Sequence, residues 1–477
     1  MNEPTVAELA RRLADTQVAL DVLWTVLGAF LVMFMQAGFA LVETGLTRAK
    51  NAAHTMGMNL LVYAVGVMGF AFVGFGLQMG GTGTLYGSLS ALDQEFTVRI
   101  LGKNFGLFGM TGFGLHPLSL YTPAVAATFL FHTVFMDTAA TIPTGAAAER
   151  WRFSSFVLFS VAMATLVYPV YANWVWGGGW LSQLGRNFGL GHGHVDFAGS
   201  SVVHLTGGVA ALVVARGLGP RIGKYLPDGR IQAIAPQSIP QVVLGTFILA
   251  FGWFGFNAGS TRSGMDSRLA VVAANTMIAG AAGASSAYLY VKTRWGKAEP
   301  SWLANGTLAG LVAITASCAY VSAWAAAVIG AVGGVLAITA AVFIDTRLRI
   351  DDPVGATAVH GVSGTWGALA LGLFANGTYG QGMNGVPGGV TGLLYGDGGQ
   401  LVASGVGVLA NLAYVGVATA LAFAVVGRVV GNRVSAEDEV TGLDVPEMGV
   451  HAYSADPGPT AAIAPLRSPR QEAKGLR

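Results

Sequence analysis

The chain has 477 residues, of which 53% are hydrophobic and only 10% are charged, and its mean hydropathy is +0.58. Soluble domains carry about 25% charged residues, so this composition excludes an ordinary soluble domain and predicts a polytopic membrane protein. The formal charge of +2 says little about partners other than the lipid bilayer, and we expect no nucleic-acid partner.

Eleven apolar stretches approach the roughly 20 residues that a membrane-spanning helix needs. They follow a polar N-terminal segment, residues 1–19, in which we find no pattern of a removed signal peptide. A polar tail, residues 431–477, comes after them, and its last twenty or so residues are Pro/Ala-rich and predicted to be disordered. The predicted spans are 20–42, 56–80, 121–147, 153–175, 197–216, 240–258, 267–291, 302–319, 324–345, 354–375 and 400–427.

The distribution of Lys and Arg predicts the orientation of these spans. If the N-terminus lies outside, 19 of the 26 basic residues lie on the inner side, in the connections after the odd-numbered spans from one to nine, in the tail, and at the inner ends of spans five and eleven, where Arg216 and Arg428 are counted. The positive-inside rule therefore predicts a multi-pass protein of the cell (inner or plasma) membrane, with its N-terminus outside and its C-terminus in the cytoplasm.

Two of the stretches repeat one pattern, in which an aspartate precedes a histidine by eight positions. DFAGSSVVHLTGGVAAL carries Asp196 and His204, and DPVGATAVHGVSGTWGAL carries Asp352 and His360. If each helix begins at its aspartate, the 1.5 Å rise places each histidine roughly 12 Å inside, near the middle of a hydrocarbon layer about 30 Å thick. Span five enters from outside and span ten from inside, so the two imidazoles are predicted to meet.

This repeat also predicts the fold. We expect an all-α polytopic membrane protein with eleven transmembrane helices, in which two five-helix repeats have inverted topology. Repeat one covers about 20–217, repeat two covers about 240–376, and an eleventh helix at 400–427 completes a transmembrane domain at 20–430.

The histidines admit two interpretations. Either His204 and His360 are core residues that each bond a backbone carbonyl, or they line a path for a polar solute. Ionisable groups at membrane depth are costly to bury and tend to line such paths, and finding two in register favours the second interpretation. A haem site is a weaker hypothesis because nothing else indicates a cofactor pocket.

Aromatic residues lie near the predicted outer ends of spans four and six, in WVWGGGW and FGWFGFNAGS. They can anchor the helices at the membrane interface, but a Trp face beside Ser260 also suits a small cation. Phe135 and Phe256 lie deeper, where two rings can close a hydrophobic constriction. Asp196 is either a cation ligand at the mouth of the pore or a structural N-cap, and its position favours the cap.

Several separated motifs, in this order, resemble the ammonium transporter (Amt/Mep/Rh) family, and its bacterial and plant Amt branch in particular. The resemblance covers roughly residues 20–455. The motifs are ETGLTRAKN, GAAAERWRF, DFAGSSVVHLTGGVAALV, GWFGFNAGS, DDPVGATAVHG and GLDVPEMGVHAY.

The resemblance implies roles for individual residues. Trp176, Ser260 and Phe135 would form an outer ammonium-recruitment site with Asp196 beside it, and Phe135 and Phe256 would be stacked rings that obstruct the pore. His204 and His360 would be the family's twin histidines. The resemblance further implies a homotrimer with one pore in each subunit and a cytoplasmic face that can dock a PII-type signalling protein.

The sequence departs from the family pattern at several positions. His132 and Asp137 in span three, and Glu43 in span one, stand where uncharged residues are usual. They form either a buried polar network, which we favour, or an altered proton route or sensing element. The tail has EMGV where a His-Gly-Glu sequence is common, which puts regulation by a PII-type protein in question. Ser317 replaces a common proline.

Passive movement of ammonium or ammonia through a pore is therefore the predicted function. An ammonium sensor with little flux and a channel for neutral gas, either NH3 or CO2, stay open as alternatives. An enzyme is disfavoured because no nucleophile with its base and no phosphate-binding loop accompanies the histidines. Cys318 is the single cysteine, and no Cys/His cluster suggests a metal or another cofactor.

Overall fold

The computed structural model describes residues 4–453, and these are mostly helical. Eleven long helical segments follow one another along the chain. We number them α1 (Val6–Leu46), α2 (Ala49–Met79), α3 (Pro123–Ala147), α4 (Phe153–Trp176), α5 (Ser200–Leu218), α6 (Ile239–Thr261), α7 (Arg268–Trp295), α8 (Pro300–Ile314), α9 (Ala323–Leu348), α10 (Thr357–Val362 continued by Ser363–Phe374) and α11 (Gly398–Val430).

Nine of these segments in the described part of the chain are long and apolar enough to cross a membrane by length and composition. The other two, α8 and α10, lie at the positions of the predicted spans eight and ten. The helical membrane architecture is confirmed, whereas the count of eleven spans stays a prediction.

The structure adds two details to the predicted architecture. Helix α1 begins at Val6 and continues into the first predicted span, so it includes most of residues 1–19. The connection between α2 and α3 contains an antiparallel hairpin, β1 (Glu95–Ile100) and β2 (Lys103–Gly109), within an otherwise mostly helical structure. Leu101 and Gly102 turn between the strands with φ of 52° and 74°, as a tight hairpin turn requires.

Helices α5 and α10 cross in opposite directions at very short range. A Cβ on Gly208 would lie 2.2 Å from the backbone nitrogen of Gly361, and a Cβ on Gly364 would lie 2.5 Å from the carbonyl oxygen of Ser200. The contact thus moves backward along α5 as it moves forward along α10. The two repeats of the Asp/His pattern are therefore antiparallel, and only glycine permits this approach.

Beyond α11, the chain forms two short helices, α12 (Ala436–Thr441) and α13 (Asp444–Met448). They contact the first turns of α2 and α4 and the connection that precedes α6, which the distribution of Lys and Arg predicts to lie on one side. The carboxylates of Asp444, Glu447 and Glu439 accept from the backbone N–H groups of His54, Phe153 and Ile222. The predicted disorder near the C-terminus falls on 454–477, outside the described residues.

The two ends of the bundle differ, and we name them by residues that lie there. The Trp176 side carries the hairpin, the α4–α5 connection and the end of α6. Trp174 at this end donates to the carbonyl of Leu107 in β2 at 2.9 Å. The Asp352 side carries α12, α13 and the start of α10.

Candidate functional site

Each of the two histidines lies in a π-helical turn at the start of its helix. The turns are Ser200–Leu205 and Thr357–Val362, and each follows a glycine with positive φ, 115° at Gly199 and 76° at Gly355. Helical structure therefore begins four or five residues after each aspartate rather than at it. Such turns are rare and are frequent at functional sites, and nothing in the one-dimensional pattern distinguishes them from an α-helix.

The carboxylate of Asp196 holds the first turn of α5. Its Oδ1 accepts from the N–H groups of Gly199 and Ser200, at 2.8 and 2.9 Å. Its Oδ2 accepts from the N–H groups of Ser201 and Val202 and from the Ser201 hydroxyl, at 2.7, 2.9 and 2.6 Å. Because both oxygens are occupied and Asp196 is only 4% exposed, the residue orients backbone in the way a helix cap does.

Asp352 repeats this arrangement at the start of α10 with fewer bonds. Its carboxylate accepts from the N–H groups of Gly355, Ala356 and Thr357 at 2.9, 3.1 and 2.8 Å. The two copies of the pattern therefore share one local device, an aspartate that fixes the turn carrying the histidine.

His204 and His360 meet between the crossing helices. Their Nδ1 atoms lie 3.2 Å apart, and the ring centroids lie 5.2 Å apart with 21° between the planes. One Nδ1 must donate and the other accept, so the pair holds one proton between two neutral rings. The Nε2 of His204 is buried and has no hydrogen-bond partner among the described residues. This nitrogen is consequently available to a polar solute.

Aromatic rings continue from the histidine pair toward the Trp176 side. Phe256 lies 5.3 Å from His204, and Phe135 stacks on Phe256 at 4.2 Å with 23° between the planes. Both phenylalanines are fully buried. Trp253 stacks against His204 at 5.2 Å, and its indole N–H donates to Thr315 at 2.9 Å. A stack of apolar rings thus separates the histidines from the Trp176 side.

A cavity of about 80 Å³ lies above Phe135 on that side. Trp176 and Ser260 both line it, so the structure brings three predicted recruitment residues together. The lining residues are Met79, Tyr86, Phe131, His132, Phe135, Trp176, Phe197, Ser260 and Arg262.

The polar atoms of Trp176 and Ser260 are oriented by bonds outside the cavity. The Trp176 indole N–H donates to the backbone carbonyl of Asp196 at 2.6 Å, and the Ser260 hydroxyl donates to the carbonyl of Phe256 at 2.7 Å. Trp176 therefore presents its ring, and Ser260 presents oxygen lone pairs. Asp196 does not line the cavity. The predicted role of Asp196 as a substrate ligand does not agree with this geometry. Its carboxylate bonds to the first turn of α5, and only its backbone carbonyl contacts Trp176.

On the Asp352 side, a cavity of about 20 Å³ lies against His360 and Phe39. Asn305 and Val354 border it and also border a much larger cavity of about 470 Å³ near the surface. The histidine pair accordingly lies between two cavities, a small one below the surface on the Trp176 side and a wide one on the Asp352 side.

Comparison with known sequences identifies the family of this chain. A sequence profile of the Ammonium Transporter Family matches residues 23–453. The chain belongs to the ammonium transporter family.

Relatives in this family resemble the chain over nearly its whole length. Ammonium transporter Amt2 of Archaeoglobus fulgidus is 43% identical over 94% of this chain and 91% of its own length. Ammonium transporter 1 member 3 of Oryza sativa subsp. japonica is 36% identical over 98% of this chain and 95% of its own. These relatives are named as transporters, so the chain is a multi-pass membrane protein of a transporter family and not an enzyme.

Solved structures agree with this membership. A structure titled Sensor Amt Protein superposes with a TM-score of 0.79 at 35% identity, covering 91% of this chain and 99% of that one. Mep2 of Candida albicans superposes with a TM-score of 0.75 at 29% identity, covering 92% of each chain.

Of the two polar residues of α3 predicted to depart from the family pattern, His132 and Asp137, only His132 lines the cavity. The ring of His132 is 5.7 Å from that of Trp176, and its Nδ1 lies 3.0 Å from Nε2 of Gln78. Asp137 is 2% exposed, and its Oδ1 has no hydrogen-bond partner among the described residues. The structure therefore does not join these two residues into one site.

Glu43 belongs to a buried polar network between α1, α2 and α3. Its carboxylate accepts from the Thr144 hydroxyl at 2.6 Å and from the Asn59 amide at 2.7 Å. Gln36 extends the network by donating to Asn59 and to Thr141 at 3.2 and 2.8 Å. Glu43 also borders the small cavity beside His360. The predicted interpretation of this residue as part of a polar network agrees with these contacts, while its role in function stays a prediction.

Ion pairs fix the Asp352 side of this family member. Arg221 donates to Asp351 at 2.8 Å and to Glu149 at 3.0 Å, and all three are buried. Burial alone would raise the pKa of Asp351, but hydrogen bonds and attraction from Arg221 outweigh it and lower that pKa to about 2. Sequence reasoning missed this cluster, although GAAAERWRF and DTRLRIDDP place charges at predicted inner ends of spans.

Proposed function

We propose that the protein conducts ammonium or ammonia across the membrane by a path that passes Phe135, Phe256, His204 and His360. The observation that carries this proposal is the buried Nε2 of His204, which has no hydrogen-bond partner within residues 4–453. It lies between stacked rings on one side and a cavity beside His360 on the other. A buried nitrogen without a partner costs free energy, so a passing solute that bonds to it would replace the water it lost.

The small cavity suits recruitment of ammonium from the Trp176 side. An ammonium ion has only N–H donors, and it finds lone pairs at Ser260 and ring faces at Trp176 and Phe135. Below this cavity, the stacked Phe135 and Phe256 offer no hydrogen-bond acceptor in their rings. A cation that passes between them loses hydration, which favours entry of neutral ammonia or separate transfer of the proton. Whether charge moves with the solute is a question for current measurements.

Solid-supported-membrane electrophysiology on reconstituted protein tests this proposal, with labelled methylammonium uptake beside it. His204→Ala and His360→Ala are each expected to change rate or selectivity, because each removes half of the pair. Exposed His116, on the connection before α3, provides the matched control His116→Ala, which should behave as wild type. Unchanged rate and selectivity in both pore variants would reject the paired-histidine path.

A second candidate is an ammonium sensor, in which the same cavity reports occupancy with little flux. Two observations favour it: the likeness to the structure titled Sensor Amt Protein, and the docking of α12 and α13 on the first turns of α2 and α4 and on the connection before α6 at the Asp352 side. Purified protein that binds ammonium but moves none would favour the sensor. Asp137→Asn belongs in the same comparison, since loss of ammonium current with retained binding would assign Asp137 to a proton route.

We further propose the family's assembly and orientation for this chain, a homotrimer with the Trp176 side outside and the C-terminus in the cytoplasm. The shared side of α12, α13 and the Arg-containing connections supports the orientation. Accessibility of introduced cysteines in intact cells tests it. Docking of a PII-type protein on the cytoplasmic face is tested by co-purification, in which the EMGV segment is exchanged for His-Gly-Glu.

A further inference from the structure

The small cavity contains a fixed positive charge that the predicted recruitment site does not include. Arg262 lines it together with Trp176, Ser260 and His132. Arginine stays protonated at neutral pH, so one of the nine lining side chains is a permanent cation. A site that recruits ammonium by cation–π attraction would ordinarily avoid a like charge, because like charges disfavour each other's binding.

The structure holds this guanidinium in place without neutralising it. Arg262 ends α6 in the left-handed conformation, with φ of 51°, and its Nη2 donates to the Thr128 hydroxyl at 2.6 Å. Its Cζ lies 5.8 Å from the centroid of the Tyr86 ring. Its Nε is buried without a hydrogen-bond partner, and no carboxylate among residues 4–453 forms an ion pair with it.

The nearby Arg268 shows the contrast. It lies on the same side, outside the cavity, and pairs with Asp266 at 2.5 Å. Its charge is balanced at the surface, whereas that of Arg262 acts on whatever enters the cavity. Partial burial strengthens this effect, because the field of a charge is screened less away from bulk water.

We propose that Arg262 is a specificity-determining residue of this cavity, whose fixed charge lowers the affinity for ammonium and other small cations. This inference rests on the proposed function of the cavity. Neutral ammonia experiences no such repulsion, so the residue biases the cavity toward the uncharged form. At separations of several ångströms and an effective dielectric near 20, removal of the charge should tighten ammonium binding by about tenfold or more.

Thermal unfolding of detergent-purified protein tests the inference without requiring transport. Ammonium chloride replaces sodium chloride at constant ionic strength, and the concentration that gives half of the stabilisation measures binding to the folded state. In R262Q this concentration should fall about tenfold. R262K keeps the charge and should stay near wild type, and the control R268Q should match wild type.

An unchanged half-saturating concentration in R262Q would overturn the inference, as would an equal shift in R268Q, which would assign the effect to surface charge. If R262Q does not fold, Thr128→Val is the second test, because it removes the hydroxyl to which the Arg262 guanidinium donates. Release of the guanidinium should lower the half-saturating ammonium concentration, and an unchanged concentration would reject the proposed role of Arg262. No ammonium-dependent stabilisation in any of the proteins would also overturn it. If ammonium still binds but proteoliposomes show no ammonium flux, the proposed transport would be rejected and the inference about Arg262 would stand.

Discussion

The two copies of the Asp/His pattern have the same local device in different surroundings. Just before α5, Asp196 is almost fully buried and accepts five hydrogen bonds. Just before α10, Asp352 is half-buried, accepts three from backbone N–H groups and borders the cavity of about 470 Å³. The neighbouring Asp351, paired with Arg221, helps to fix that end of α10.

The two copies therefore share one structural role and differ in the surroundings that each aspartate supports. Both aspartates hold a π turn that points a histidine at its counterpart, so that function belongs to the repeat. The Trp176 side also has to shape a narrow aromatic cavity, and there the indole of Trp176 bonds to the carbonyl of Asp196. The Asp352 side opens into a wide cavity that Asp352 borders, so its carboxylate is closer to water and accepts fewer hydrogen bonds from the protein.

The largest expected effect in this comparison is that of Asp196→Asn. An amide cannot accept on both sides, so buried N–H groups lose their partners, and the free energy of unfolding should fall by about 3 kcal/mol or more. Asp352→Asn leaves its donors near water and should cost only about 1 kcal/mol. The midpoint of thermal unfolding in detergent, measured at one scan rate, compares the two variants.

Equal losses of stability in the two variants would contradict the assigned difference between the copies. His451→Ala, which changes an exposed residue of the C-terminal segment, shows the scatter of the measurement.

A smaller effect is expected from glycines at the crossing of α5 and α10. In Gly208→Ala the new methyl would meet backbone atoms of Gly361 at 2.2 and 2.3 Å, which cannot move aside without separating the helices. We expect a loss of about 1–3 kcal/mol and a wider histidine pair. In Gly361→Ala the nearest atom would lie 3.5 Å away, an ordinary contact.

Thermal unfolding and methylammonium uptake are the measurements for this pair. Gly361→Ala serves as the matched control, since it adds the same methyl on the opposite side of one contact. Normal uptake and stability in Gly208→Ala would mean that the helices do not cross as closely as the structure has them.

The meeting of His204 and His360 was predictable because it depends on quantities that the sequence contains. The equal eight-residue spacing and the count of spans between the copies predict that both rings reach one depth from opposite sides. The depth calculated from helical rise does not hold, because helical structure begins four or five residues after each aspartate. The π turns were not predictable, because a π turn differs from an α turn only in bonding residues five rather than four apart, and the apolar pattern of the sequence fits both.

Residues whose contacts lie on other helices or connections were harder to predict from the sequence. Glu43 is conspicuous in an apolar span, but its partners Asn59 and Thr144 lie on other helices and show no common spacing. Arg262 follows the end of α6, where a positive charge reads as an ordinary connection residue. Only the fold shows that Arg262 lines the cavity together with Trp176, with its guanidinium bonded to Thr128. The hairpin was missed because β1 and β2 lie in a connection between stronger apolar stretches.

The smallest expected effect concerns the hairpin on the Trp176 side and depends on pH. Burial raises the pKa of Glu95 from 4.5 to about 7, although a hydrogen bond from Asn173 lowers it in part. The folded protein therefore binds a proton more tightly than the unfolded chain. Stability contributed by Glu95 is present below about pH 4.5 and is lost as the pH rises through about 7.

Glu95→Gln keeps an acceptor for Asn173 and removes the charge, so it should raise the midpoint of thermal unfolding by about 1–2 °C at pH 8 and change little at pH 5. Asp351 does not interfere, because its pKa of about 2 lies below this range. The control is Glu299→Gln, an exposed residue that borders the wide cavity on the opposite side. A pH-independent gain in Glu95→Gln would show that the hairpin docks without burying a charge.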